Sequence, residues 1–212
     1  MALQAFFLRH GETVFSKADG FCGSTDADLT ADGEVMACSF AEAYGKTKWD
    51  AIYCSPMKRT IATANPIATI AGLQPQLRDG LRELNYGEWE GKTRAEVKAS
   101  FGDDYTKWSS EPGWNSPTGG ETAFEIAQRS GAVIEEIVAN HREGNVLIVS
   151  HKATIRIMLC ELMGIELGRY RDRLNVLTAS VALVTFDTRG PMLQSMGDRS
   201  HLSAELRSRP GT

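Results

Sequence analysis

Leu3-Gln4-Ala5-Phe6-Phe7-Leu8-Arg9-His10-Gly11-Glu12-Thr13 is the stretch that decides the fold. A continuous apolar run of strand length meets two basic residues and a glycine without any polar lead-in. Such a run is expected of a strand buried on both faces, the kind found in parallel sheets. It is too short to span a bilayer, and no basic region or cleavage site precedes it, so neither a membrane anchor nor a secretory signal is expected. Ligands of open α/β sheets bind outside the carboxyl ends of the strands. Arg9-His10-Gly11 stands at such an end.

Further runs of the same kind lie along the chain. Ala51 to Cys54 and Val146 to Val149 are short and wholly apolar, and the second is expected at the centre of the sheet. Val181 to Phe186 and Met192 to Met196 predict two more strands. Helical patterns alternate with these runs. One follows Thr30, with Val35, Ala37, Phe40, Ala41 and Tyr44 as its apolar positions. Ser55-Pro56 reads as a helix start, with Ser at the N-cap and Pro first, and Pro66 is expected to end or kink that helix. Thr122-Ala123-Phe124-Glu125 is a capping box opening a helix that reaches about His141. Ser150 is the expected N-cap of a helix running to Met163. The alternation predicts one domain over 1–212, a mainly parallel sheet covered by helices. About residues 85–120, with Trp89, Trp108, Trp114 and several glycines, read as a partly helical insertion over one end of the sheet. The polar tail from Ser203 to Thr212 is expected to fray.

Composition narrows the function. Of 212 residues, 42% are hydrophobic and 24% charged, as in an ordinary globular protein, and the net charge of -4 argues against nucleic acid as a partner. An acidic chain binds anions only through a local pocket of cations. Cys22, Cys38, Cys54 and Cys160 form no C-x-x-C pair and read as reduced, mostly buried thiols of a cytoplasmic protein. Asp26-x-Asp28-x-Thr30-x-Asp32 superficially resembles a calcium loop, but Ala31 stands where Gly is required and Ala37 where Glu is required. No zinc-ligand spacing joins His10 and His151. No metal and no cofactor is expected.

Three strand ends deliver Arg9-His10, Arg59 and His151. In a parallel sheet these ends share one edge. An Arg in the first turn of a helix is badly placed for the helix dipole unless an anion sits between them. Two guanidiniums offer bidentate contacts to phosphoryl oxygens, and a neutral imidazole attacks phosphorus, splitting a hard hydrolysis into two steps. The leaving alkoxide needs a proton. Glu83 is the preferred donor, because it follows directly on an apolar segment, where partial desolvation favours the protonated form. Glu88 and Glu90 are the competing choices, and sequence barely separates the three.

Arg9-His10-Gly11-Glu12-Thr13, Arg82-Glu83 with Gly87-Glu88-Trp89-Glu90-Gly91, and Val149-Ser150-His151 resemble the histidine phosphatase superfamily, also called phosphoglycerate mutase-like. Leu29-Thr30, Ser55-Pro56 with Arg59-Thr60, Gly119 to Thr122 and His201-Leu202 extend the likeness over nearly the whole chain. The resemblance implies a three-layer α/β/α sandwich on a mostly parallel mixed sheet. It implies His10 as the phosphorylated residue, Arg9, Arg59 and His151 as the phosphate pocket, Glu83 as proton donor, and no metal. Thr13, Ser16, Cys22, Gly23 and Lys152 then fall in the expected substrate pocket. The chain departs from the common pattern there. Ser16 stands where many members have Asn, no Arg or Gln accompanies Gly20 and Cys22, and Lys152 replaces a common Gly. The segment from Ser16 to Asp26, Asp19 included, is similar to a branch acting on sugar bisphosphates. Lys152 is suited to a second anionic group of the substrate, or simply faces solvent. The leading expectation is a phosphatase for a small soluble phosphomonoester, a sugar phosphate or phosphoglycerate-like acid. A phosphoglycerate mutase and a catalytically silent binding module are the alternatives. The expected partner is that small molecule, with a homodimer as the one assembly entertained.

Overall fold

The computed structural model describes residues 2–18 and 20–209. Six strands form one sheet: β1 (Leu3–Arg9), β2 (Ala51–Cys54), β3 (Gln76–Leu77), β4 (Gly144–Ser150), β5 (Val181–Asp187) and β6 (Gly190–Asp198). Their order is β3-β2-β4-β1-β5-β6. The first four strands of that order are parallel, while β5 runs antiparallel to β1 and β6 antiparallel to β5. The helices are α1 (Val14–Ala18), α2 (Ala31–Tyr44), α3 (Lys58–Ala71), α4 (Arg94–Ser100), α5 (Gly102–Ser110), α6 (Ala123–Asn140), α7 (Lys152–Met163), α8 (Tyr170–Arg173) and α9 (Ala204–Ser208).

Strand alternation divides the core in two. Phe6 and Leu8 of β1, Ile52 of β2 and Leu147 and Val149 of β4 face Phe40 of α2 and Ile67 of α3. Leu3, Ala5 and Phe7, with Tyr53, Val146 and Ile148, face Ile134 and Ile137 of α6 and Ile155 and Leu159 of α7. The result is the three-layer α/β/α arrangement, with β4 and β1 buried on both faces. Residues 85–120 hold α4, α5 and a 3₁₀ turn, Gly87–Trp89, around a separate aromatic cluster of Phe21, Trp89 and Trp108.

Register aligns the carboxyl ends of the three inner strands. Arg9 pairs with Ser150, and Cys54 with Val149. His10 N–H then donates to Ser150 O at 3.1 Å, and Ser55 N–H to Val149 O at 3.0 Å. Residues 10, 55 and 151 leave the sheet side by side.

Several local expectations are corrected. The helix after β2 begins at Lys58 with Met57 at its N-cap and no side-chain cap, so Ser55-Pro56 is connector. Pro66 lies inside α3, which continues to Ala71, because Ile67 and Ala68 beyond it are buried in the core; Gly72, at φ 67°, ends the helix. His151, not Ser150, occupies the N-cap of α7, and the Ser150 hydroxyl donates to Leu81 O at 2.8 Å. On α2, Val35 is exposed and Met36 fills the core position. Cys38 is exposed, and all four cysteines are free. The tail is ordered through Arg209: Ser203 caps α9, Leu206 is buried, and the Arg199 guanidinium donates to Leu206 O and Arg207 O. Pro210 to Thr212, at the end of the tail expected to fray, lie outside the described residues, as does Asp19. No helix among the described residues is long and apolar enough to cross a membrane.

Candidate active site

The common strand edge opens into a cleft of about 750 Å³, its mouth included. His10 is at its base, 6% exposed. Its Nδ1 lies 2.7 Å from Gly11 O. A carbonyl only accepts, so Nδ1 carries the hydrogen and Nε2 keeps its lone pair. Burial, then the charges of Arg59 and Arg9, holds the His10 pKa well below the usual histidine range. The ring is therefore neutral and nucleophilic at neutral pH. A Cβ on Gly11 would stand 2.5 Å from Gly33 O, so only glycine lets the loop after His10 close over α2.

The cations around it are fixed by backbone oxygens. Arg9 is 3% exposed, donates from Nη1 to Val176 O at 2.8 Å, and is pushed down to about 10 by burial. Arg59 is 1% exposed. It donates from Nη1 to Thr25 O at 2.8 Å, from Nη2 to Gly23 O at 2.9 Å, and from Nε to His151 Nδ1 at 3.2 Å. Two of the five guanidinium donors remain for a ligand.

His151 does not line the cleft. It is wholly buried, its ring centroid 5.2 Å from that of His10. Because Arg59 donates to Nδ1, the hydrogen sits on Nε2 and points to Ser55 Oγ at 2.8 Å. Burial first, then Arg59, His10 and Arg9, keep this ring neutral too. In this geometry it links Arg59 to Ser55.

Geometry separates the three carboxylates that sequence could not. Glu83 is buried and faces the cleft. Its Oε1 accepts from Leu84 N and Thr154 N, and its Oε2 from Ala153 N at 3.1 Å, so it sits on the N-terminus of α7. Glu90 is consumed by the loop before α2, accepting from the backbone N–H groups of Gly23, Ser24 and Thr25. Glu88 is exposed. Gly23 also stays out of the cleft, since its N–H is held by Glu90 and its carbonyl by Arg59; it supports the pocket rather than lining it. Thr13, Ser16, Cys22 and Lys152 all line the cleft. Among the described residues no group of three or more His, Cys, Asp or Glu comes together as a metal site.

Residues 85–120, the insertion expected over the active site, supply Tyr86, Arg94 and Trp108 to the far wall. Phe15, Gly20, Phe21, Tyr86, Arg94, Trp108, Ala153, Arg156, Tyr170 and Arg171 complete the lining. Arg156 had a usable signal: it lies four residues after Lys152 on one helix, hence on the same face. Arg171, on a four-residue helix, had none.

Residues 5–199 match the histidine phosphatase superfamily (branch 1). Phosphoserine phosphatase 1 of Hydrogenobacter thermophilus is 30% identical over 168 residues, covering 79% of this chain and 80% of its own. A Yersinia enterocolitica protein named probable phosphoglycerate mutase GpmB is 30% identical over 210 residues, 94% of this chain and 95% of that one. The solved structure of Bacillus stearothermophilus YhfR superposes with a TM-score of 0.89 at 26% identity, covering 95% of this chain and all of that one at 100%. Sheet, strand-end cations and buried imidazole define a phosphoryl-transfer site. The chain belongs to the histidine phosphatase superfamily.

Proposed function

We propose that this protein hydrolyses a small phosphomonoester through a phosphohistidine on His10, without a metal. The observation that carries the reading is His10 itself: its Nδ1–H is tied to Gly11 O, which leaves the Nε2 lone pair free, and Arg59 and Arg9 share its cleft and depress its basicity. Nε2 attacks phosphorus as the ester P–O bond breaks. The two arginines stabilise the charge spread over the phosphoryl oxygens, and such electrostatic stabilisation dominates the catalysis of phosphoryl transfer. Glu83 gives its proton to the departing oxygen. Its carboxylate then takes a proton from water, the hydroxide attacks phosphorus, the P–N bond breaks and inorganic phosphate leaves. His151 keeps Arg59 aimed throughout.

The Hydrogenobacter relative, named a phosphoserine phosphatase, supports hydrolysis of a small ester. Length does not separate hydrolysis from mutase chemistry, because the relative named a mutase is matched along nearly all of its chain. The deciding experiment mixes the protein, in chelator, with a ³²P-labelled aryl phosphate and quenches within milliseconds. Expected are a label on the protein that survives alkali and is lost in acid, its absence from His10→Ala, and release of inorganic phosphate on longer incubation. Neither label nor phosphate, on this ester or a panel of sugar phosphates, overturns the proposal. Isomerisation of 3-phosphoglycerate outpacing phosphate release would replace it with the mutase reading.

A further inference from the structure

Arg9 and Arg59 account for one phosphoryl group, yet the cleft holds four more cations. Arg94, Lys152, Arg156 and Arg171 line it as well, Arg94 and Lys152 with interactions of their own.

Arg156 and Arg171 are the informative pair. Arg156 lies on α7 one turn beyond Lys152, and its Nε is buried with no hydrogen-bond partner. The Arg171 guanidinium lies flat on the Trp108 ring, its Cζ 3.8 Å from the centroid. Stacking occupies a face of the guanidinium and leaves its in-plane N–H groups for an oxyanion. No hydrogen bond or ion pair joins either residue to another described residue. The two feel each other's charge, and Arg156 also feels Glu83, Tyr86 and Tyr170. Arg156 and Arg9 interact as well, which puts the pair within charge range of the phosphate end. Two like charges beside an aromatic wall, one of them with a buried donor that has no partner, are costly unless an anion joins them.

We infer that Lys152, Arg156 and Arg171 form a second oxyanion site, and that the substrate is a phosphomonoester carrying a carboxylate or a second phosphate at its other end. This rests on the phosphatase reading and makes it specific. The class of reaction that supplies this substrate is one that leaves an acidic group and a phosphate ester on one small molecule.

The test compares matched esters. 3-Phosphoglycerate against glycerol 3-phosphate isolates a carboxylate, and fructose 1,6-bisphosphate against fructose 6-phosphate isolates a second phosphate. The expected wild-type preference in kcat/KM for the doubly anionic member of one pair is about tenfold or more, carried mainly by KM. Arg156→Gln and, independently, Arg171→Gln are each expected to cut that ratio about fivefold or more. Two variants guard against one that folds poorly. A wild-type ratio near unity in both pairs, or a ratio that neither variant moves, overturns the inference while leaving the phosphatase reading intact. If no ester releases phosphate, the phosphatase reading falls. Calorimetric binding of the same pairs to His10→Asn then decides the second site by the same ratios.

Discussion

The two ends of the cleft are built by different means. At the phosphate end, Arg9, His10, Ser55 and His151 stand at strand ends, and the strands fix one another. His10 N–H donates to Ser150 O, and Ser55 N–H to Val149 O. A one-residue slip would send each strand side chain to the opposite face, so register secures the strand-end groups. At the far wall, Phe15 comes from α1, Arg94 from α4, Trp108 from α5, Arg156 from α7 and Arg171 from α8. No common ladder holds them. Trp108 and Arg171 rest on aromatic packing, with Trp89 5.3 Å from Trp108 and 5.5 Å from Phe21. The sheet fixes the chemistry and the irregular elements fix recognition, so the second can change while the first stays.

The largest effect falls at the phosphate end. His10→Ala removes the attacking lone pair, and kcat on an aryl phosphate is expected to fall at least ~10³-fold. Steady-state phosphate release measures this. A loss under tenfold would mean that water attacks the ester directly and that the strand-end imidazole is dispensable.

The next separates the two regions. Trp89 is fully buried at the centre of the insertion's aromatic cluster and does not line the cleft. Trp89→Ala is expected to cost roughly 3 kcal/mol of stability. Urea unfolding reads that cost, and single-turnover phosphorylation of His10 at saturating aryl phosphate is expected to drop less than about tenfold, since no strand register changes. A parallel collapse of phosphorylation would show that the far wall holds the phosphate end together after all.

The same division governed what was legible in the sequence. β1, β2 and β4 are continuous apolar runs, so their position and the basic residues at their ends were readable from local pattern. The capping box at Thr122 and Glu125 fixed the start of α6 in the same local way. What escaped depended on contacts distant in sequence. Ser55 looks like a helix cap and is instead the partner of a ring 96 residues away. Glu83, Glu88 and Glu90 share one short segment, and only folding assigns one to the cleft, one to solvent and one to the backbone of residues 23–25. Pro66 obeyed the core rather than its own preference. Arg171 gained its role from Trp108, and no spacing along the chain announces that pairing.

A third prediction uses pH. His10 and His151 both have pKa values held well below the usual range, mainly by burial. In the unfolded chain each takes up a proton near pH 6.5. The unfolded state therefore binds more protons in acid, and stability falls as pH drops below about 6.5 toward the folded-state values. Each ring contributes up to about 1.4 kcal/mol per pH unit across that window. Urea midpoints between pH 7.5 and 5.5 should decline, and His10→Asn should flatten part of the decline. A midpoint that rises in acid would show that these rings are charged when folded, which removes the nucleophile.

The smallest effect tests the join between strand register and arginine placement. Ser55 is wholly buried and its Oγ receives the Nε2–H of His151 at 2.8 Å. Ser55→Ala leaves that N–H without an acceptor, a cost of about 1–3 kcal/mol for a buried donor. The ring can escape by moving its hydrogen to Nδ1, but there it confronts the Arg59 Nε–H that now donates to it, and the arginine must re-aim. The expected loss in kcat is about tenfold, far less than for His10. Nitrogen-15 shifts of the His151 ring are expected to change with it, and Ser55→Thr, which keeps a hydroxyl, to restore both. Purely structural damage would lower stability and leave the tautomer unmoved. In that case Arg59 is held by Gly23 O and Thr25 O alone, and the second imidazole has no part in aiming it.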